Sequence, residues 1–569
     1  MESAAALRHF FSMKILGINS VFHDTSAALV VDGKIVAAAE EERFNRRKHG
    51  KSCVPFSTWE LPVMSARWCM QYAGVSPGEV DVIACSYDPS LAYPLDGDIA
   101  AQEWEALRTL YVARLPHFLK TEFPGIERAR VEFVPHHVAH AASAYLAAPW
   151  RESAVLVADG RGERSSYFGG HSRDGRLQML ATQELPHSLG LLYEELTMHL
   201  GFLRSSDEYK VMGLAGYGKP RFLEEMRRAI TVREDGGFNV QPIDFSQYAP
   251  RRSDDGEFEG AHADLAASVQ TRLEEVLLEL ARWLHARTGA RYLTMAGGVA
   301  LNCVANARLA REGPFDDVWV QPAAGDAGTS LGAAFFAAEK NGDRVEPMST
   351  AALGREWSDE QIARRLDIAH VEYERPGDIA SAVAQILADD GVVGWFQGRS
   401  EFGPRALGHR SLLANPKYPE NLERLNNIKG REQFRPVAPM VLEERAAEIF
   451  DGHLPSPYML FTHTVRPQWR DAIAAAVHVD GSARVQTVNA EQEPLVTRML
   501  REFDRLTGVP VTINTSFNTA GRPMVDDPRD ALECFGSAPV DALAIGPFLL
   551  RRAGVFGRRA DAIEVRSAV

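Results

Sequence analysis

At 569 residues the chain is too long for one hydrophobic core and suggests about two to four domains. Its 45% hydrophobic and 24% charged residues are ordinary for a globular protein, and a formal net charge of -14 opposes non-specific binding to phosphate backbones, so nucleic acid is not an expected partner. Five scattered cysteines (Cys53, Cys69, Cys85, Cys303 and Cys534) form no C-x-x-C pair, which argues against a zinc ribbon or a disulfide framework. The N-terminal stretch carries no signal peptide and no run of ~18 apolar residues, so no membrane association and a cytoplasmic location are expected.

Residues 1–12 read as an extension before a buried strand, MKILGIN. SAALVVDGKIVAAAEEE then gives two apolar runs joined by Asp32-Gly33, a hairpin signal. The plan recurs: ESAVLVADG is a strand ending in Asp159, and a second hairpin turns at Asp174-Gly175. Strand, polar turn and Asp-Gly hairpin, met twice, suggest a duplicated subdomain. An amphipathic helix is predicted over 264–287, with Leu265, Val269, Leu273, Val276, Leu280 and Leu284 on one face. RYLTMAGGVALN and DDVWVQPAAGDAGTSLG each read as strand, Gly-rich turn and helix. Residues 341–374 thin into polar sequence with Gly342, Pro347 and Gly354, which places a junction there. A helix from about Asp378, the strand GVVGWFQG, and the runs GVPVTINTSF and ALAIGPFLLR follow. Repeated strand-helix alternation implies an α/β architecture.

Four groups of residues point to chemistry. In PHHVAHAASAY, Pro135 suits a helix start, and His136 and His140 share a face at i, i+4. The pair is either a metal site or a hydrogen-bonded helix start; Asp159 and Asp326 would complete a two-His, two-carboxylate set suited to iron, manganese or zinc. The turns with Gly297, Gly298 and Gly325 suit an anion at a helix N-terminus, or simply the backbone demands of tight turns. His23, at the end of the first strand, is a candidate general base or a turn histidine. Arg43, Arg46, Arg47 and Lys48 are a solvated basic turn or a wall for a substrate. The densest signal is C-terminal: Arg399, Arg405, Arg410, Lys429, Arg431 and Arg435 interleaved with glycine, then Arg484, Ser516 and Asn518. Arginine forks match phosphate and carboxylate oxygens. Lys429 and Arg431, two apart, would share one face of a strand.

FHDTSAALV, EEERFNRRKHG, HHVAHAASAY, VADGRGE, KVMGLAGYG, AGGVALN, GDAGTSLGAA, GPRALGHRSLL, KGREQFRPVAP and NTSFN together resemble the O-carbamoyltransferases of nodulation-factor and antibiotic biosynthesis. The resemblance implies an actin/Hsp70-like (Kae1-like) duplicated N-terminal domain at 13–345 and a YrdC-like α/β C-terminal domain at 356–556. It implies that the latter makes carbamoyl-adenylate from carbamoyl phosphate and Mg2+-ATP. The intermediate then passes internally to the former, where a small-molecule hydroxyl attacks. The metal ligands would be His136, His140, Asp159 and Asp326, with Fe2+ favoured over Mn2+ or Zn2+. His23 would be the base, and Lys48 would contact the acceptor. Arg405, Lys429, Arg431, Arg435, Arg484, Ser516 and Asn518 would grip carbamoyl phosphate and nucleotide, while Gly297, Gly298 and Gly325 hold the adenylate. The stretches 48–135 and 218–262 depart from the antibiotic-enzyme pattern, so the acceptor is not named. A threonylcarbamoyl transferase acting on tRNA is the alternative, opposed by the net charge. A hydrogenase-maturation carbamoyltransferase would need cysteine pairs, and a nucleotide-gated binding module has no use for the C-terminal cations.

Overall fold

The computed structural model describes residues 12–50, 60–92, 99–253, 256–553 and 555; Cys53 and residues 1–11 lie outside these, as does Phe556. The chain divides into two compact units after Ser349. In the first, β1 (Lys14–Asn19), β2 (Ser26–Val31), β3 (Lys34–Glu40), β4 (Val82–Cys85) and β5 (Arg130–Phe133) form a sheet in the order β3-β2-β1-β4-β5. β6 (Glu152–Ala158), β7 (Ser165–Arg173) and β8 (Arg176–Glu184) are followed by a small hairpin, β9 (Ile230–Val232) and β10 (Phe238–Val240). With β11 (Tyr292–Ala296) and β12 (Asp317–Val320) they make a second sheet, β12-β11-β6-β7-β8.

Each five-stranded sheet therefore runs third, second, first, fourth, fifth. The first three strands of each are antiparallel neighbours, and the last two add in parallel to the first. This is the duplicated actin/Hsp70-like plan, and the hairpins behind it are set locally. Asp32 and Gly33 lie at φ 51° and 77°, Asp174 and Gly175 at φ 50° and 81°, the left-handed pair that a two-residue turn between twisted strands requires. The long helix spans Gly260–Thr288. It starts earlier than its apolar face predicts because His262 Nδ1 accepts the Glu259 N–H at 2.9 Å and caps it.

The helix Ala327–Lys340 is packed on two sides with almost no space. A Cβ on Gly17 would lie 1.9 Å from the Ser330 carbonyl oxygen, and one on Gly332 would lie 1.8 Å from that of Ala139. Gly332 thus lets this helix meet the helix His136–Tyr145 backbone to backbone. Gly332→Ala is expected to destabilise the unit by about 1–3 kcal/mol through overpacking, read as a lower urea midpoint at unchanged slope.

The second unit holds β13 (Val393–Phe396), β14 (Arg410–Ala414), β15 (Ala438–Leu442), β16 (Phe450–Asp451), β17 (Thr462–Val465), β18 (Ser482–Arg484), β19 (Gln486–Val488), β20 (Val511–Ser516), β21 (Ala542–Ile545) and β22 (Phe548–Arg551). Seven of them form a mixed sheet, β19-β15-β20-β14-β13-β21-β22, and β16-β17-β18 a small one. Both faces of the large sheet are buried: Val393, Trp395 and Leu413 join one core with helices Ile379–Ala388 and Pro494–Thr507, while Phe396, Leu412 and Leu543 join another with Glu420–Lys429 and Pro528–Ser537. The period-2 alternation of a strand puts neighbours on opposite faces. Among the described residues no helix is long and apolar enough to cross a membrane, and Cys69, Cys85, Cys303 and Cys534 are buried and joined in no disulfide.

Candidate functional site

Pro135 caps the helix His136–Tyr145, which is buried over its first two turns, and one face carries His136 and His140. Asp159 follows β6, and Asp326 directly precedes the helix Ala327–Lys340 without capping it through its side chain. The four side chains converge, with one ligand atom from each lying within 4.8 Å of the others. His136 Nε2 is 3.6 Å from both Asp159 Oδ2 and Asp326 Oδ1; His140 Nε2 is 3.9 Å and 3.4 Å from the same two atoms. Most of these separations exceed a good hydrogen bond, so the groups face a common point rather than one another. Both Nε2 atoms are buried without a hydrogen-bond partner. Orphaned imidazole nitrogens beside two carboxylates are what a divalent cation satisfies, so the residues fit a metal.

The surrounding bonds aim these ligands. His136 Nδ1 meets the Ser86 carbonyl at 3.1 Å, which fixes Nε2 as the lone-pair nitrogen. Asp159 Oδ1 accepts the Gly298 N–H at 2.8 Å and Asp326 Oδ2 accepts the His23 N–H at 2.9 Å, leaving the other oxygen of each carboxylate for the imidazoles. The Glu163 carboxylate accepts the His136 N–H at 2.9 Å and the Asp88 N–H at 2.8 Å, at the positive end of the helix. Burial opposes ionisation of both aspartates, but imidazoles outweigh it: His136, His137 and His140 hold Asp159 well below the usual carboxylate range, and His136 and His140 hold Asp326 below it. A third imidazole, His137, has Nε2 3.8 Å from Asp159 Oδ2 and is pushed down to about 4 by burial.

His23 stands beside this group, in a turn whose carbonyls at His23 and Asp24 accept from Asn19 Nδ2 at 2.7 and 3.2 Å. Its Nδ1 lies 3.1 Å from Asp24 Oδ2, and His49 Nδ1 lies 2.8 Å from Asp24 Oδ1. A Cβ on Gly325 would sit 3.7 Å from Asp24 Oδ2, so the Gly-rich turn abuts the same carboxylate. The Gly297 N–H donates to the Ala324 carbonyl at 2.8 Å, and that of Gly298 to Asp159. Those two amides hold the turn and the Asp159 side chain in place. In the basic turn, Arg43 is buried against Glu40 at 3.3 Å, while Lys48 Nζ is half-exposed and 3.8 Å from Glu42 Oε2.

In the second unit Lys429 and Arg431 do not share a strand face, correcting the expectation from their spacing. Lys429 ends the helix Glu420–Lys429, and Gly430 at φ 56° turns the chain away before Arg431. The buried Lys429 Nζ donates to the Ser516 carbonyl at 2.5 Å, to Ser516 Oγ at 2.9 Å and to Asn518 Oδ1. Arg431 bonds Asn426 Oδ1, and Arg435 Nη1 meets Glu432 Oε2 at 3.3 Å on the same loop. Arg405 and Arg484 come from other elements. Asn514 Nδ2 reaches the Ala406 carbonyl at 3.1 Å and Gln486 Oε1 at 2.7 Å, and Gln486 Nε2 the Leu407 carbonyl at 2.8 Å. That network ties the chain next to Arg405, Arg484 and Ser516 into one neighbourhood. Arg410, by contrast, is fully buried and donates to the carbonyls of Gln397, His409, Arg355 and Gly398, and Arg399 donates to that of Gly354. These two cations serve the fold.

The family model described as Carbamoyltransferase N-terminus matches residues 14–335, and Carbamoyltransferase C-terminus matches residues 384–552. The chain belongs to the carbamoyltransferase family. It is 37% identical to the uncharacterized protein sll1178 of Synechocystis sp., over 96% of this chain and 98% of that protein. It is 38% identical to nodulation protein NolNO of Sinorhizobium fredii, over 94% of this chain and 80% of that one. Nodulation protein U of Rhizobium tropici is 31% identical over 92% and 93%. In this carbamoyltransferase the residues the sequence reading left out are Asp24, His49, His137 and Glu163. Asp24, His49 and His137 directly follow His23, Lys48 and His136, and Glu163 lies inside the motif VADGRGE, so adjacency to a candidate residue is the signal for three of them.

Proposed function

We propose that this carbamoyltransferase is an ATP-dependent O-carbamoyltransferase acting on a hydroxyl of a small molecule. In the second unit water hydrolyses carbamoyl phosphate to carbamate and phosphate, and the carbamate oxygen attacks the α-phosphate of ATP, forming carbamoyl-adenylate and releasing pyrophosphate. Lys429, with Arg405, Arg431, Arg435 and Arg484, offsets charge on the phosphoryl oxygens, and Ser516 and Asn518 orient them. In the first unit the acceptor oxygen bonds to the carbamoyl carbon, AMP leaves, and His23 takes the hydroxyl proton. His136, His140, Asp159 and Asp326 would hold a divalent ion, which would supply Lewis acidity toward the intermediate. Lys48, half-exposed beside this group, would meet the acceptor.

The observation that carries this reading is the join between base and metal carboxylate: the His23 N–H donates to Asp326 Oδ2 at 2.9 Å, while its ring faces Asp24. A base fixed to a ligand of a Lewis-acid site is arranged for deprotonating a nucleophile next to an electrophile. The test is pyrophosphate release from ATP by the full chain. Release that requires carbamoyl phosphate supports the reading; release supported instead by bicarbonate and threonine would replace it with tRNA threonylcarbamoylation. His23→Ala is expected to lower carbamoyl transfer by about 10²–10⁴-fold while leaving pyrophosphate release intact. Loss of both activities would remove the role given to His23.

A further inference from the structure

Two clusters of histidine and carboxylate adjoin in the first unit, and their bonding differs. In the four-residue group the Nε2 atoms of His136 and His140 have no hydrogen-bond partner. In the other, His23 Nδ1 is 3.1 Å from Asp24 Oδ2, His49 Nδ1 is 2.8 Å from Asp24 Oδ1, and His49 Nε2 is 3.0 Å from Ser206 Oγ. The first suits a cation; the second is a closed chain of hydrogen bonds.

The proton positions follow from the carboxylate. Burial opposes ionisation of Asp24, yet the charge of His23 and the bonds from both imidazoles prevail and hold its carboxyl well below the usual range. An ionised carboxylate only accepts, so both Nδ1 atoms carry hydrogens. His49 Nε2 then has a lone pair and accepts the Ser206 O–H. His23, bonded to Asp24 through Nδ1–H, keeps that hydrogen when it loses its charge and then has its lone pair on Nε2.

We propose that His49 is a positioning residue for the transfer step: braced by Ser206, it holds the Asp24 carboxylate and thereby fixes His23 with Nδ1 protonated and Nε2 basic. This rests on the functional reading above. When His23 Nε2 takes the acceptor's proton, the C–O bond to the acceptor forms, the bond to AMP breaks, and the imidazolium is left against Asp24. The His49 ring lies 4.0 Å from that of His23. Burial, together with the charge of His23, keeps the His49 imidazole below its usual range, so it adds no second positive charge there.

The backbone points the same way. Phe22 (φ 61°), Asp24 (φ 45°) and His49 (φ 64°) all occupy the left-handed region without being glycine. Such conformations cost energy and persist where contacts impose them. Here Glu42 Oε2 accepts the His49 N–H at 2.8 Å, and Asn19 grips the His23–Asp24 turn.

The test uses replacements of opposite reach. An asparagine amide nitrogen overlays Nδ1 of histidine, and a glutamine amide nitrogen overlays Nε2. His49→Asn therefore keeps the donor to Asp24, His49→Gln keeps only the side toward Ser206, and His49→Leu keeps neither. Nitrogen-15 NMR of the histidine-labelled full chain, with His23 assigned by His23→Asn, reads the tautomer directly. His23 is expected as Nδ1–H in the unsubstituted chain and in His49→Asn, and as a tautomer mixture in the other two. With glycerol as the acceptor probe, carbamate formation should fall about tenfold or more in His49→Gln and His49→Leu, and recover most of that loss in His49→Asn. Pyrophosphate release that requires carbamoyl phosphate should persist in all three. An Nε2–H tautomer of His23 in the unsubstituted chain overturns the proposal, as do equal losses in His49→Asn and His49→Leu. Absence of carbamoyl phosphate-dependent release from the unsubstituted chain overturns the functional reading instead, which the tautomer measurement does not depend on.

Discussion

His140→Ala is expected to leave the purified chain with less than about a tenth of the divalent metal bound by the unsubstituted protein, because a four-ligand site loses a quarter of its donors and its closed geometry. The helix holds His140 rigidly, and both ring nitrogens of that residue are buried without a partner. Without a cation, Asp159 and Asp326 place two like charges around one point, and only the imidazoles offset them. Metal binding to the folded state alone stabilises it by RT ln(1 + [L]/Kd), about 2.7 kcal/mol at a hundredfold excess over Kd. Spread over a unit of this size, that corresponds to a fall in Tm of about 4 °C on chelation. Calorimetry should show the fall in the unsubstituted chain, its reversal by Fe2+, Mn2+ or Zn2+, and no response to chelator in His140→Ala. A variant with full metal content would remove His140 from the ligand set.

Why these ligands were legible and others were not is a matter of sequence distance. His136 and His140 announce themselves by helical spacing, and Asp159 and Asp326 by standing where a strand ends and a helix begins. The duplication is legible because each copy carries an Asp-Gly turn that must lie at positive φ. The third-second-first-fourth-fifth strand order is not, since it depends on which strands meet after long crossovers. His49 reaches Asp24 across 25 residues through a left-handed turn, and no periodicity marks such a contact. Lys429 and Arg431 were misread for a different reason. Leu422, Leu425 and Ile428 repeat at helical spacing and Gly430 is a common helix stop, but the cation density drew the reading toward a strand.

Lys429→Met should lower carbamoyl phosphate-dependent pyrophosphate release by about 10²–10³-fold, the usual effect of removing one group aimed at developing charge. Lys429 is 7% exposed, and its Nζ donates to Ser516 Oγ at 2.9 Å and to the Ser516 carbonyl at 2.5 Å. The ammonium therefore also organises Ser516 and Asn518. Methionine keeps the length and removes the charge, so a folded variant separates charge from packing. Arg435→Ala should act in the same direction, since Arg435 sits on the loop that Gly430 starts. Neither change touches the histidine-aspartate group, so metal content should stay at one unsubstituted equivalent in both. The pairing is diagnostic: His140→Ala should lose metal and keep pyrophosphate release, and Lys429→Met the reverse. If Lys429→Met released pyrophosphate at the unsubstituted rate, the adenylate-forming step would have to be moved away from the second unit's cations.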